Sequence, residues 1–544
     1  MKKLTESNAA RYALTLIIIT FIIRILIAAY TGLGIGESYY FRGAITLELS
    51  YFDQPPLFFW LSWLSTKIFG LTTLGLRFPA VLLFAGTSWM LFLLTRQLFN
   101  AKAGFWAVVV MNLSAVFTVA IACWFQPDAP LMFFWLAAAY CIVQVMQVGE
   151  NRGTITFNKR KTYLWWVNIG LLMGLATLSK YHVLFLFAGV FLFIVANKSQ
   201  RHWLRNPGPY LAVLITLIMA FPIIWWNYQN NWASFVFQGS RAGTGQKFQL
   251  HIDWFLRSLG GQALWLLPWI WVPTFRQLFV SFKQRVTSLS YSYVFWIAVL
   301  PIVFFTVITL WADLQYHFHW QAPGYMMLFA PLGYAIDKKL SNTETARGTR
   351  RWMNFSIWFT VITITVLSLH MVTGFWTWYG PKWAVGLAGD TDDPTVQGID
   401  YNDINTRFEK EGWFNNKNLF VGTPRWWLTG KVDWALKGKK EIICFNHDPR
   451  NMAYLVDPNK LIGHDAIIVS QGEYESVTQD AKPFFDSITE LPEIKIIRSG
   501  VTELHMQVYY CKNFHVTKET REDLPLYKQL TGRPPFGPGE KPQD

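Results

Sequence analysis

The chain has 544 residues, of which 52% are hydrophobic and only 15% are charged, and its mean hydropathy is +0.23. A soluble globular protein carries roughly a quarter charged residues, whereas the apolar residues here occur in blocks of about 20, the length of a membrane-crossing helix. The composition therefore excludes a soluble globular protein and predicts a polytopic α-helical membrane protein. The net charge of +14 is compatible with nucleic-acid binding only if the basic residues form one surface.

Eleven apolar segments predict membrane spans. The segment nearest the N-terminus follows Lys2 and Lys3; it has features of a cleaved signal peptide, but its length and the many later spans favour a membrane helix. Pro268 and Pro273 interrupt the eighth segment, which makes it the least regular. The segments lie at about 11–30, 76–95, 104–123, 130–148, 164–179, 183–197, 209–226, 259–279, 290–311, 320–337 and 353–373.

Lysine and arginine are distributed unevenly between alternate connections. If the N-terminus is inside, the inner connections hold twenty of these residues and the outer connections hold seven. The positive-inside rule then predicts a cytoplasmic N-terminus and places the region after the last span outside. The basic charge marks membrane topology and gives no evidence for nucleic-acid binding.

Residues 376–525 differ from the rest and predict a small periplasmic α/β domain, followed by a loose tail at 526–544. Five segments read as strands and one as a helix between them. Cys444 and Cys511 fall in this domain, where an oxidising compartment would allow them to pair. The strand segments are LFVG (419–422), EIICFN (441–446), AIIVS (466–470), IKIIRS (494–499) and ELHMQVYYC (503–511), and the helix is PRWWLTGKVDWAL (424–436).

Polar clusters gather in the outer connections of the predicted transmembrane domain, residues 1–375. The first outer loop, 31–75, holds GESYYFRGAITLELSYFDQPPLFFWL, whose two apolar segments at 38–52 and 55–70 predict interfacial helices that lie flat at the membrane surface. The later loops contribute QPDAP, LSKYH, WWNYQNNWASFVFQGSR and WADLQYHFHWQAP. One face of the membrane is therefore predicted to carry the chemistry.

Four of these motifs, in the same order, resemble those of the polyprenyl-phosphate-sugar-dependent membrane glycosyltransferases, which have a C-type fold. The branch that is most similar contains the lipid A aminoarabinose transferases and the protein mannosyltransferases. The resemblance rests on GESYYFRGAITLELSYFDQPPLFFWL, QPDAPLMFFW, LSKYH and WWNYQNNWASFVFQG, and it covers roughly residues 10–340. It implies transfer of one sugar from a polyprenyl (undecaprenyl) phosphate donor to an acceptor on the periplasmic face of a bacterial inner membrane.

The chain departs from the family pattern at two positions. The family usually has Asp followed by Glu where this chain has Gly36 and Glu37, and Asp-His-Pro-Pro where it has Asp53 and Gln54 before the two prolines. The usual first-loop base is therefore absent. Either Glu37 takes its role, or the acceptor is already anionic, as a phosphate is, and needs no strong base.

The resemblance and the charges together suggest roles for eleven residues. Glu37 and Asp128 are the catalytic candidates: Glu37 would act as the base or orient the acceptor, and Asp128 would bind sugar hydroxyls or the acceptor. Lys180 and Arg241 would neutralise the donor phosphate. The candidate substrate-binding residues are Tyr39, Tyr40, Asp53, Tyr181, His182, Trp226 and His319.

Each polar candidate also has a structural interpretation. Glu37 could cap a helix, Asp128 could be an N-cap, and Lys180 at a span end could extend to the interface. Arg24 lies within the first span, where a charge is costly, and is predicted to face the interior of the helix bundle. His317 and His319 have the spacing of two metal ligands on a strand, but no third ligand is evident, so no metal or other cofactor is predicted.

The expected partners are the lipid-linked sugar donor, an envelope lipid or glycan acceptor, and membrane lipids. Lipid A or another envelope glycan is the favoured acceptor, and protein is less favoured. A lipid-linked sugar flippase or transporter is a rival, although such proteins place polar residues at mid-membrane in paired repeats. An inactive assembly or sensor subunit is a second rival, which the missing aspartate at position 36 keeps open.

Overall fold

The computed structural model describes residues 4–149, 159–242, 249–376, 393–445, 448–471 and 481–516, so the predicted loose tail lies outside the described residues. Helices dominate this part of the chain. In chain order they are α1 Ala9–Tyr30, α2 Ile35–Ile45, α3 Leu57–Phe69, α4 Thr73–Leu98, α5 Ala101–Leu113, α6 Asp128–Val145, α7 Lys159–Ser179, α8 Leu184–Ala196, α9 Pro207–Met219, α10 Phe221–Gln229, α11 Ala233–Arg241, α12 Ile252–Leu266, α13 Pro268–Gln284, α14 Leu289–Val307, α15 Ala322–Ser341, α16 Thr343–Thr373, α17 Asn402–Lys410, α18 Trp426–Ala435 and α19 Met452–Leu455.

Every predicted span falls on one or two of these helices, and the protein is a multi-pass membrane protein. Among the described residues, six helices are long and apolar enough to cross a membrane, or eight if each of two bent pairs forms one span. The predicted total of eleven spans exceeds this number and stays a prediction. The eighth segment divides into α12 and α13 at Leu267, whose φ of 72° lies in the left-handed region, immediately before Pro268.

The chain forms two compact units. The first comprises residues 1–26, 77–224 and 241–363, and the second comprises 27–76, 225–240 and 364–544. The second unit therefore joins most of the first outer loop to the C-terminal region. The domain boundaries predicted from composition, at 375 and 525, are not tested by this division and stay a prediction.

Small residues allow close helix packing in the first unit. A Cβ atom on Gly333 of α15 would lie 2.3 Å from the carbonyl oxygen of Ala103 in α5, and one on Gly324 would lie 2.5 Å from the carbonyl oxygen of Ala298 in α14. Glycine at these positions lets the helix backbones approach in a manner common in membrane bundles. Helix α15 is consequently held between α5 and α14, and its N-terminal end follows directly on the loop that carries His317 and His319.

Arg24 faces the interior of the first unit, as predicted. Its side chain is buried and donates from Nη2 to Asn112 Oδ1 at 2.8 Å, and its guanidinium carbon lies 4.6 Å from the centre of the Phe84 ring. These contacts account for a charged residue within an apolar helix, so Arg24 has a structural role.

The second unit contains a five-stranded mixed sheet with the order β2-β1-β3-β5-β4. Strand β1 is parallel to β2 and β3, whereas β5 is antiparallel to both β3 and β4. All five predicted strand segments and the helix between them are confirmed. The strands are β1 Leu419–Thr423, β2 Ile442–Cys444, β3 Asp465–Gln471, β4 Phe485–Arg498 and β5 Val501–Phe514, and α18 is the predicted helix.

Cys444 and Cys511 do not pair. Both thiols are free and buried, and burial raises the pKa of each to about 12. The possible disulfide is therefore not formed, and both residues act as small apolar side chains of the sheet domain.

The first outer loop contains two helices, α2 and α3, where helices were predicted. Helix α2 packs closely on α18 at Gly430, where the lack of a side chain permits the approach. A Cβ atom there would lie only 2.4 Å from the backbone nitrogen of Tyr39. Arg42 joins the same two helices through a buried ion pair with Asp433, with Nε 2.9 Å from Oδ2. The sheet domain thereby fixes the position of α2; the flat orientation of α2 and α3 at a membrane surface stays a prediction.

Candidate functional site

The predicted site residues fall into two sets, one in each compact unit. Asp128, Lys180, Tyr181, His182, Arg241 and His319 belong to the first unit, and Glu37, Tyr39, Tyr40, Asp53 and Trp226 belong to the second.

Asp128 and Lys180 form a buried ion pair in the first unit. Lys180 Nζ lies 2.9 Å from both carboxylate oxygens of Asp128, and the two side chains are 6% and 3% exposed respectively. Burial lowers the pKa of Lys180, and the neighbouring Asp128 carboxylate opposes that shift. Asp128 begins α6 but its side chain caps no backbone N–H, so the N-cap interpretation is wrong, and Lys180 is bound to this carboxylate instead of extending into water.

Arg241 lies among aromatic and imidazole rings. Its Nη2 is 2.5 Å from His317 Nε2, and its guanidinium carbon is 5.0 Å from the centre of the Trp320 ring. The His317 and Trp320 rings are themselves 4.6 Å apart. A cation held over an indole face retains its charge and can still donate to an anionic ligand.

Two further histidines surround these cations. The His182 ring stacks on Phe305 with 4.5 Å between centres, and His182 Nε2 is buried with no hydrogen-bond partner in the part of the chain that the structure describes. The pKa of His319 is lowered to about 4, chiefly by burial and also by Lys180 and Arg241, against the opposing effect of Asp128. His319 is therefore neutral at physiological pH and can donate or accept a hydrogen bond.

We refer to Asp128, Lys180, His182, Arg241, His317 and His319 as the cationic cluster. An apolar groove of about 360 Å³ lies beside it. Phe185, Ile308 and Trp311 line this groove and also pack in the hydrophobic cluster that contains Trp320. A molecule with an anionic head and a long apolar tail would satisfy both features. Among the described residues, no group of three or more His, Cys, Asp or Glu side chains has the geometry of a metal site.

In the second unit, Glu37 caps its own helix. Its Oε2 accepts the backbone N–H of Gly34 at 3.0 Å, and the side chain is 2% exposed. A carboxylate at a helix N-terminus is stabilised by the free N–H groups there. The structural interpretation of Glu37 is therefore confirmed, while its catalytic role stays a prediction.

Tyr39 and Asp53 lie beside a turn of the sheet domain, residues 448–451. The backbone N–H of Asn451 donates to the Tyr39 hydroxyl at 2.9 Å, and Asn451 Oδ1 accepts the backbone N–H of Phe52 at 3.2 Å. Burial raises the pKa of Tyr39, and the Asp53 carboxylate raises it further while Arg450 opposes the rise. The charges of Asp53 and Arg450 are consequently close enough to act on the same phenol.

The aromatic candidates of the second unit are engaged in packing. Tyr40 contacts Phe58 and Phe59 edge-on, and its hydroxyl accepts Gln54 Nε2 at 3.3 Å. Trp226 is buried in a cluster with Phe52 and Phe237, which Tyr454 covers at 5.4 Å from the indole. Their predicted contacts with sugar or isoprenoid stay predictions.

Asp448, Arg450 and Asn451 were not among the predicted site residues. The signal for them is positional, because they follow the predicted strand EIICFN, and the carboxyl ends of parallel strands are common sites for ligands. Trp320 was not among the predicted site residues either, although its ring lies 5.0 Å from the Arg241 guanidinium carbon and 4.6 Å from the His317 ring.

The chain matches the family described as dolichyl-phosphate-mannose-protein mannosyltransferase over residues 53–226. Over 208 residues it is 24% identical to the lipid A galacturonosyltransferase RgtD of Rhizobium johnstonii, covering 37% of this chain and 40% of the relative. Over 239 residues it is 24% identical to the undecaprenyl phosphate-alpha-4-amino-4-deoxy-L-arabinose arabinosyl transferase 2 of Proteus mirabilis, covering 41% and 40%. The chain thus spans less than half the length of each of these relatives.

The fold is similar to that of ArnT from Cupriavidus metallidurans in the apo state. The TM-score is 0.62 at 13% identity, over 91% of this chain and 97% of that protein. The family match covers QPDAP, LSKYH and the part of the first-loop motif from Asp53 onward. The predicted resemblance to polyprenyl-phosphate-sugar-dependent membrane glycosyltransferases is therefore confirmed.

Proposed function

We propose that this protein transfers a single sugar from a polyprenyl phosphate to an envelope lipid or glycan on the periplasmic face of a bacterial inner membrane. The observation that carries the proposal is the cationic cluster of the first unit beside its apolar groove. Two fixed cations and a groove lined by Phe185, Ile308 and Trp311 match the phosphate and the hydrocarbon chain of such a donor. The names of the two curated relatives, both sugar transferases, support the same reaction class.

The leaving group in this reaction is a lipid phosphate, so the main requirement is neutralisation of the negative charge that develops on its oxygen. Lys180 and Arg241 supply that charge in the proposal. Asp128 then acts as a positioning residue, because its two oxygens hold the Lys180 ammonium at 2.9 Å. His182 Nε2, which is buried with no partner among the described residues, would bind a further oxygen of the donor.

The candidates for activating the acceptor lie in the first outer loop. Glu37 and Asp53 are the two candidate bases for an acceptor hydroxyl, and an acceptor phosphate would need neither. Lipid A or another envelope glycan is the favoured acceptor, in line with the name of the Rhizobium relative, and protein is less favoured.

The proposed topology follows the charge distribution. Twenty inner and seven outer basic residues favour a cytoplasmic N-terminus, eleven spans and a periplasmic sheet domain. Alkaline phosphatase fused after residue 376 should then be active, and the same enzyme fused after residue 98 should be inactive.

Mass spectrometry of lipid A, envelope glycans and surface proteins, with and without the gene, tests the proposed reaction. We expect one acceptor class to lose the mass of one sugar when the gene is deleted. Complementation with Glu37→Gln and Asp53→Asn separates the two bases, because glutamine keeps an oxygen that can accept the Gly34 N–H. If neither deletion nor variants change any product, while the protein level is normal, the transferase proposal is wrong and a transporter or an inactive subunit is favoured.

A further inference from the structure

A turn of the sheet domain meets the first outer loop next to Asp53. The turn, Asp448–Asn451, follows β2 and makes two hydrogen bonds to the loop, one to the Tyr39 hydroxyl and one from the Phe52 backbone. Asn451 takes part in both bonds, as the donor in the first and as the acceptor in the second. The residue that precedes Asp53 is therefore fixed by the C-terminal part of the chain.

Arg450 presents donors at this turn. Its φ of 47° lies in the left-handed region. Residues other than glycine rarely adopt this conformation, and those that do are often found at functional sites. Its Nε donates to Asp448 Oδ2 at 2.9 Å, and its guanidinium carbon lies 3.9 Å from the centre of the Trp426 ring. Within the described residues its two terminal amino groups make no hydrogen bond, so up to four N–H donors are available for a ligand.

Asn451 provides a second, independent indication of a ligand. Its side chain is 1% exposed, and its Oδ1 is identified as the oxygen because it accepts the Phe52 N–H. Its Nδ2 is buried with no partner in the described part of the chain. A buried amide donor without a partner destabilises a protein unless a ligand or water supplies an acceptor.

The charges near the turn indicate what kind of ligand would bind. Two negative charges, those of Asp53 and Asp448, act on Arg450. Two positive charges, those of Arg425 and Arg450, lie close enough to Asp448 that all three affect the pKa of the Cys444 thiol. Among the described residues these formal charges balance, so they favour neither a phosphate nor an ammonium group. A neutral molecule rich in oxygen acceptors and hydroxyl donors matches the free N–H groups and the nearby carboxylates.

We propose that the Asp448–Asn451 turn is a carbohydrate subsite, in which Arg450 and Asn451 donate hydrogen bonds to the oxygens of a sugar ring bound beside Asp53. The inference rests on the proposed function for the origin of that ring. The ring belongs either to the lipid-linked donor or to the glycan acceptor, and the chemistry of the subsite is the same for both.

Two variants test the subsite while preserving the fold. Arg450→Gly removes the guanidinium, and glycine adopts a φ of 47° without strain. Asn451→Asp keeps the oxygen that accepts the Phe52 N–H and removes the unpartnered Nδ2 donor. Arg407→Gln is the matched control, because it removes one positive charge from the same domain at a helix position paired with Glu411.

Steady-state transfer by the full-length protein in nanodiscs measures the effect, with donor and acceptor varied in turn. We expect the KM of one substrate to rise about 10- to 100-fold in Arg450→Gly and about 3- to 10-fold in Asn451→Asp, from typical hydrogen-bond energies. A rise for the donor identifies the ring as the transferred sugar, and a rise for the acceptor identifies it as acceptor glycan. The KM values and the thermal unfolding midpoint of Arg407→Gln should stay within error of the wild type. Arg450→Gly should lower the unfolding midpoint, because the buried Asp448 loses its partner, and its KM values are therefore compared on the protein that remains folded.

Saturation-transfer NMR with methyl glucoside, methyl mannoside, methyl galactoside and glucosamine tests binding without any transfer reaction. The wild type and Arg407→Gln should give a signal with at least one probe, and both turn variants should lose it. If transfer fails but this signal depends on Arg450 and Asn451, the proposed function is wrong and the subsite stands. Unchanged KM values for both substrates, or no signal that depends on the turn, overturn the subsite even if sugar transfer is established.

Discussion

The Asp128–Lys180 ion pair allows structural and catalytic roles to be separated. Removing one partner of a buried pair leaves an uncompensated charge, which typically costs about 3–5 kcal/mol of unfolding free energy. Because both oxygens of Asp128 contact Lys180 Nζ and neither side chain is more than 6% exposed, Asp128→Leu and Lys180→Met should each approach that cost. The double variant replaces the pair by apolar groups of similar volume and should recover most of the lost stability.

The four proteins are compared by thermal unfolding in detergent, followed through tryptophan fluorescence, and by sugar transfer in membranes. If Lys180 neutralises the donor phosphate, the double variant will regain stability but not activity. Lys180→Arg in an otherwise unchanged chain is the control that keeps the charge. Recovery of both stability and transfer in the double variant would refute the assignment of Lys180, because it would show that the pair serves the fold alone.

Other predictions concern separate parts of the chain. The pKa of His319 is lowered from 6.5 to about 4, so between these pH values the imidazole binds a proton in the unfolded protein but not in the folded one. The stability of the folded protein should therefore fall as the pH falls from 6.5 to 4. His319→Gln should flatten the pH profile of the unfolding midpoint. Arg42→Met should destabilise the second unit by about 3–5 kcal/mol, measured as faster proteolysis near the first outer loop, because it leaves the buried Asp433 unpaired. Cys444 and Cys511 should resist iodoacetamide until the protein is denatured, with no disulfide found by mass spectrometry, since burial raises both thiol pKa values to about 12.

The elements were largely predictable because apolar block length and strand patterning are local properties. All eleven apolar segments are helical, and all five strand segments were identified. Length alone does not determine the membrane crossings, since α9 and α10 meet at a bend of 41°, and α12 ends at Leu267. The discontinuous second unit was not predictable, because the pairing of Arg42 with Asp433 depends on contacts between residues almost 400 positions apart.

The site was predictable as a set of polar residues on loops, but their partners were not. Lys180 and Asp128 were each proposed to bind substrate, and the sequence did not indicate that they also bind each other. Arg450 and Asn451 carried no motif of the family resemblance, and only the fold brings them to Phe52 and Tyr39. A side chain's availability for chemistry depends on which of its atoms are already bonded, and a single sequence does not contain that information.

The bonds that a side chain already makes also bear on which carboxylate would act as the base. Glu37 was favoured because Gly36 replaces the usual aspartate, but its Oε2 is bonded to the Gly34 N–H at the start of α2. This bond occupies Oε2 and holds the carboxylate at the start of its own helix. Asp53 lies near the Tyr39 phenol and Arg450, and a hydroxyl acceptor would find there both a carboxylate and donors that hold it in place. Asp53→Asn should therefore reduce transfer more than Glu37→Gln does, and the reverse order would show that the helix cap is itself the catalytic group.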